Sequence, residues 1–114
     1  MFECNVSEIT PLRIPKVYRV KSICSDVDFE IELHEEVIEA PKVNSKVVFE
    51  ITSSRDNCLK HNFCAHGYVV SNIQLGDVYR TIISLHGFLV VVKSKQRLEL
   101  NEMDHVYLGA SFAT

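Results

Sequence analysis

The strongest constraint on this chain is a run of eight residues in which apolar and polar side chains alternate without interruption. The run Val27–His34 reads VDFEIELH. Successive side chains of a β-strand point to opposite faces, so the aliphatic and aromatic residues line one face and the acidic residues and histidine line the other. This pattern is typical of an antiparallel strand with one buried and one solvated face. The run therefore predicts an antiparallel β protein.

Turn residues divide the rest of the chain into further short strands. No segment keeps a helical period over ten residues, and residues 35–40 could form one helical turn or extend a strand. Many short strands with regular turns indicate a sandwich or a small closed barrel. Closure is favoured, because no helix is predicted to cover exposed sheet edges. The predicted strands are residues 2–9, 17–24, 27–34, 46–52, 66–73, 78–84, 87–93 and 105–112.

The expected core follows from the apolar positions of these strands. One face of the alternating run should be buried, together with apolar residues of four other strands. The residues predicted to be largely buried are Val27, Phe29, Ile31, Leu33, Val48, Val69, Ile82 and Val106.

Length and charge restrict the classes of function. The 114 residues are expected to form one domain, residues 1–114. The net charge of −3 lacks the basic balance of a protein held mainly by nucleic-acid phosphates. No apolar run approaches the roughly 18 residues that a membrane-spanning helix needs, and the N-terminus has no signal-peptide pattern. We therefore expect a cytoplasmic protein without a membrane partner.

The four cysteines, Cys4, Cys24, Cys58 and Cys64, allow three pairings, and the sequence does not choose among them. Without a secretory signal, free buried thiols are the expectation. The alternative is a hyperthermophile, because its cytoplasm can carry disulfides.

A cysteine- and histidine-rich segment is the sharpest candidate for chemistry. Residues 58–66 hold two thiols and two imidazoles, the ligand types that zinc prefers. Their spacing matches neither paired knuckles nor a zinc finger, and four ligands this close would strain a tetrahedral site. We expect a loop followed by the start of a strand, with no metal site. The weak candidate ligands are Cys58, His61, Cys64 and His66.

Other polar patterns favour ordinary surface. The carboxylates of residues 26–32 should stand parallel on one strand face, so they would not converge on a cation. The basic turn 93–97 is too small a cluster to indicate a phosphate site. The tyrosines do not interleave densely with lysine or arginine, as they would in a base-stacking surface. Nucleophile elbow, P-loop, dinucleotide and zinc-protease motifs are absent, so we expect no catalytic residues and no cofactor.

Five stretches, in order along nearly the whole chain, resemble the small eighth-subunit family that archaeal and eukaryotic nuclear DNA-directed RNA polymerases share. The sequence departs from the family pattern at His86, where glycine is usual, and it lacks the long acidic loop of eukaryotic members near residues 53–63. Both departures suit an archaeal-type member. The matching stretches are residues 16–33, 44–51, 63–70, 84–90 and 104–108.

This resemblance implies an all-β fold, a single small antiparallel Greek-key β-barrel of the oligonucleotide-binding (OB) type. It also implies a non-catalytic structural subunit that docks on the largest polymerase subunit, which carries the catalytic magnesium. The alternative is a free-standing barrel that binds single-stranded nucleic acid. Because a fold does not by itself establish function, and because the chain is acidic, we do not expect strong direct nucleic-acid binding.

The run 87–92 is too apolar for a strand with one wet face, so alternate residues should form an exposed apolar surface. A glycine in it would let a partner's backbone approach closely. Whether Phe88 or Leu89 points outward is left open by the sequence. The residues predicted to contact the largest subunit are His86, Gly87, Phe88, Leu89 and Val90, supported by Tyr107 and Leu108.

Overall fold

The computed structural model of the protein describes residues 1–35 and 42–112. All eight predicted strands are confirmed within these residues, and a one-turn helix that was not predicted follows the fourth strand. Most of the segment 35–40, predicted as a helical turn or a strand extension, lies outside the described residues. The elements are β1 (Phe2–Pro11), β2 (Val17–Cys24), β3 (Val27–His34), β4 (Lys46–Thr52), α1 (Arg55–Cys58), β5 (Phe63–Leu75), β6 (Val78–Leu85), β7 (Phe88–Ser94) and β8 (His105–Phe112).

The eight strands form one antiparallel sheet that closes into a ring in the order β1-β2-β3-β7-β6-β5-β8-β4. Hairpins join β1 to β2, β2 to β3, β5 to β6 and β6 to β7. The fourth strand leaves this sequence and pairs with β1 on one side and β8 on the other, which closes the ring. The prediction of an all-β closed sheet is therefore confirmed.

The alternating run forms β3, and its apolar face lies in the core as predicted. Val27, Phe29, Ile31 and Leu33 are all buried. Phe29 is fully buried, and its ring stacks on Phe49 of β4 with a centroid distance of 4.4 Å. This aromatic pair joins strands that are not neighbours in the ring, so the two rings meet across the interior of the closed sheet.

Two of the predicted core positions are wrong. Val48 and Ile82 are only half-buried, whereas Val47 and Ile83 beside them are buried. Both positions lie in stretches of consecutive apolar residues, where the sequence carries no alternation to show which residue points inward. Val69 and Val106 are buried, as predicted.

The expectation of free thiols is wrong, because all four cysteines form disulfides. Cys4 and Cys24 are direct partners in the β1–β2 ladder, and they are bonded to each other. Cys58 is bonded to Cys64, with a Cα–Cα distance of 5.4 Å, because α1 folds the loop back toward β5. Strand register and the path of the loop determine these pairings, and neither can be predicted from the spacing of the cysteines.

The acidic face of β3 is matched by bases of β2. Glu32 lies 3.4 Å from Arg19, and Glu30 lies 3.9 Å from Lys21, each pair directly opposite across the ladder. Because these pairs are at least partly exposed, each contributes little to stability. None of the helices in the described part of the chain is long and apolar enough to cross a membrane.

Candidate functional site

The first two residues of β7, Phe88 and Leu89, point to opposite faces of the sheet. Phe88 is half-buried and packs against the core, while Leu89 is 41% exposed on the outer face. The backbone N–H of Leu89 donates to the Glu32 carboxylate at 2.8 Å, which ties the start of β7 to β3. The outward residue is therefore Leu89.

The hairpin turn consists of two residues, His86 and Gly87, with φ values of 53° and 96°. Two positive φ values at the centre of a two-residue loop are typical of a type I′ turn, whose twist matches that of the flanking strands. A Cβ at Gly87 would meet no atom within 4 Å, so this chain needs the glycine for its backbone conformation. His86 and Gly87 are both exposed.

Paired residues form a row on the outer face of the sheet, from this hairpin across β6 and β5 to β8. Leu89 pairs with Ser84, Ser84 with Tyr68, and Tyr68 with His105. Beside this row, Val91 pairs with Ile82, and a register shift in β5 leaves Val70 exposed. We define the outer apolar patch as Tyr68, Val70, Ile82, Leu89 and Val91.

A cluster of four rings adjoins the outer apolar patch on β5 and β8. Tyr68 packs on His105 with a centroid distance of 4.4 Å, and His66 packs on Tyr107 at 4.9 Å. The two imidazoles are 5.3 Å apart and nearly parallel. Because the residues alternate as direct and diagonal neighbours across the β5–β8 ladder, all four side chains share the outer face.

The structure divides the residues that were predicted to contact a partner. Leu89 and Tyr107 point outward. The row through Tyr68 runs from Leu89 to His105, and Tyr107 lies two residues beyond His105 on the same face of β8. The side chains of Val90 and Leu108 are fully buried in the core of this chain, so they add nothing to its outer surface. Both lie in apolar runs, where the sequence does not show the direction of each side chain.

The weak zinc candidates are not brought together. Cys58 and Cys64 are bonded to each other, so neither is a free thiolate. His61 points to Glu50 and His66 points to His105. Within residues 1–35 and 42–112, no group of three or more histidine, cysteine or acidic residues could hold a metal ion.

His61 instead joins three segments of the chain. Its Nε2 lies 2.8 Å from Glu50 of β4, and its Nδ1 lies 2.9 Å from the Ser111 hydroxyl of β8. The ring covers Gly109, where a Cβ would come within 2.4 Å of it. The arrangement of serine, histidine and glutamate resembles a catalytic triad. However, the His61 side chain is only 9% exposed, and it lies across the neighbouring strands β4 and β8. We interpret the cluster as a structural tie that sequence spacing could not reveal.

The closed sheet and its outer surface define a class of protein. A closed sheet with an apolar patch on its outer face is typical of a protein that binds another protein. Comparison with known proteins then gives the family. Residues 1–111 match the model of the RpbG family of DNA-directed RNA polymerase subunits.

Curated relatives agree with this match. The chain is 30% identical to DNA-directed RNA polymerase subunit Rpo8 of Saccharolobus solfataricus over 118 aligned residues, which cover 94% of this chain and 88% of the relative. It is 32% identical to the subunit of the same name from Sulfolobus acidocaldarius, over 91% of this chain and 90% of the relative. This chain belongs to the RpbG family of DNA-directed RNA polymerase subunits, so the resemblance seen in the sequence is confirmed.

Proposed function

We propose that this chain is a non-catalytic structural subunit of the multisubunit DNA-directed RNA polymerase, and that it docks on the largest subunit through the outer apolar patch. The observation that carries the proposal is the outer face around Leu89 and Tyr68, which are 41% and 42% exposed and lie on either side of Ser84 in one row, with Ile82 and Val91 in the next row. Contiguous apolar groups on a protein surface usually mark an interaction site. Membership of a polymerase subunit family supports other polymerase subunits as partners.

The proposed mechanism is support by a stiff scaffold. We propose that residues 1–114 form one Greek-key barrel of the OB type, which acts in the cytoplasm within the assembled polymerase. The closed ring, with β4 inserted between β1 and β8, supports the barrel. Such a ring has a fixed outer surface, so it can hold a docking segment of the largest subunit in one conformation.

Co-purification tests the docking proposal. A tagged full-length chain is expressed in a cell that contains the matching polymerase, and the bound subunits are quantified. We expect the wild-type chain to recover polymerase subunits in a fixed ratio and Leu89→Lys to lose them, because a charge would be desolvated at an apolar contact. The matched control is Ile23→Lys, since Ile23 is exposed on β2, outside the patch. Equal recovery by Leu89→Lys and Ile23→Lys, with both chains folded, would contradict docking through the patch.

Single-stranded nucleic-acid binding is the second candidate, and the four-ring cluster on β5 and β8 is the observation that favours it. Exposed aromatic rings can stack bases. The groove beside His105 is lined by Glu99 and Asp104, which would repel phosphates. We therefore retain docking as the proposed function.

A further inference from the structure

The side chains of His66 and His105 approach each other closely on the outer face of the sheet. The β5–β8 ladder pairs His66 with Tyr107 and Tyr68 with His105, so the two histidines are diagonal neighbours. Nδ1 of His105 lies 3.3 Å from Nε2 of His66. His105 is exposed and His66 is half-buried, so the pair lies at the surface of the chain.

We infer that His66 and His105 form a two-imidazole binding site for a divalent transition-metal ion of the zinc type. Neutral imidazole nitrogen is a preferred ligand of Zn²⁺, Ni²⁺ and Cu²⁺. With Zn–N bonds of 2.0–2.1 Å, a tetrahedral ion holds two ligand nitrogens about 3.3 Å apart. The observed separation of 3.3 Å has the value that such an ion requires.

The direct contact between the two imidazoles is weak, so it opposes metal binding only slightly. Their nitrogen separation of 3.3 Å is longer than the usual hydrogen-bond distance of about 2.9–3.0 Å. Replacing this contact by two metal–nitrogen bonds therefore costs little. The ion would complete its coordination with water, because two imidazoles supply only part of a tetrahedral site.

Neighbouring rings hold the two imidazoles in place. Tyr107 packs on His66 with a centroid distance of 4.9 Å, and Tyr68 packs on His105 at 4.4 Å. Each histidine also sits on a strand that is hydrogen-bonded to the other, so their backbones are already positioned. Little side-chain freedom then remains to be lost on binding, which favours a preorganised site.

The two-imidazole site differs from the zinc site that we considered in residues 58–66 of the sequence and did not predict. The sequence places His66 beside Cys58, His61 and Cys64, which are engaged elsewhere in the fold. The partner of His66 comes from β8, 39 positions along the chain. The site goes beyond the proposed docking function and is tested on the free chain, so either proposal can fail alone.

The test is a calorimetric titration of the full-length chain with zinc chloride, without reductant and near neutral pH. We expect one ion per chain, and we expect His66→Gln and His105→Gln each to weaken binding at least about tenfold, since even outer-shell partners are worth about 10- to 100-fold in affinity. His34→Gln is the matched control, because His34 lies at the end of β3, outside the pair. It should leave the affinity unchanged.

A further readout separates metal ligation from a structural effect. Zinc should raise the thermal unfolding midpoint of the wild-type chain but not of His66→Gln or His105→Gln, because an ion bound to the native state stabilises it. A folded wild-type chain that binds no stoichiometric zinc, or folded variants that bind it as tightly as the wild type, would overturn the inference.

Discussion

At the residue scale, small and large side chains are matched closely where chain segments cross. Gly109 shows this best, because the imidazole of His61 occupies the space that a Cβ would need. That ring in turn reaches Glu50 and Ser111, so one missing side chain allows a contact between two strands and a loop. The fold therefore depends on glycine here for space and not for backbone freedom.

We expect Gly109→Ala to destabilise the chain by about 1–3 kcal/mol, the usual cost of overpacking, because it displaces the His61 ring. Chemical denaturation measures the loss. A double-mutant cycle with His61→Ala is the control, since removal of the ring should leave room for the new methyl group. An equal cost of Gly109→Ala in both backgrounds would show that the ring is not what excludes alanine.

We expect Phe29→Ala to cost about 3–5 kcal/mol, because the side chain is large and fully buried. Its ring stacks on Phe49, so truncation leaves a cavity at the centre of the core. Urea denaturation of the two chains gives the difference in the free energy of unfolding. Exposed Ile23 provides the control, and Ile23→Ala should change stability by less than about 0.5 kcal/mol. A loss below about 1 kcal/mol for Phe29→Ala would mean that the cavity is refilled or that the site is not packed.

At the scale of the element, neighbouring residues of the β6–β7 hairpin contribute to the core and to the outer surface. Its turn residues adopt positive φ values that suit a tight hairpin, and the strand after the turn sends one side chain into the core and the next to the surface. Phe88 packs against the core, whereas Leu89 belongs to the outer apolar patch. A continuous apolar run thus serves folding and surface at once.

A matched pair of charge substitutions distinguishes the residue that packs in the core from the residue on the surface. Phe88→Lys should lower the unfolding midpoint strongly, because it moves a charge toward the core. Leu89→Lys should leave the midpoint close to that of the wild type, because the side chain is exposed. Circular dichroism during heating measures both. If the two variants lose similar stability, then the assignment of the inward and outward side chains is wrong.

At the scale of the whole molecule, the net charge of −3 favours a protein partner over nucleic acid, because an acidic chain repels phosphates. Phosphate contacts weaken steeply as salt rises, whereas an apolar contact does not. We therefore expect recovery of polymerase subunits to persist at high salt, and single-stranded DNA to bind weakly at low salt. Pull-down and fluorescence anisotropy over a salt series measure these. Tight DNA binding that disappears with salt would favour the nucleic-acid alternative.

The sequence by itself determined where the strands lie and which family the chain resembles. The alternation of β3 has a period of two residues, so the identity of its buried face is local information. Turn residues marked the hairpins for the same reason, since their backbone preferences do not depend on distant contacts. The ordered stretches from residue 16 to residue 108 carried the family resemblance, which the family match confirms.

Only the tertiary structure decided which residues meet. The bond between Cys4 and Cys24 depends on strand register, and the proximity of His66 and His105 depends on two strands that are far apart in the chain. In apolar runs such as residues 88–92, the direction of each side chain is set by packing in the closed ring, because the residues themselves carry no alternation. The outer apolar patch could not be drawn from the sequence because register and closure together define it.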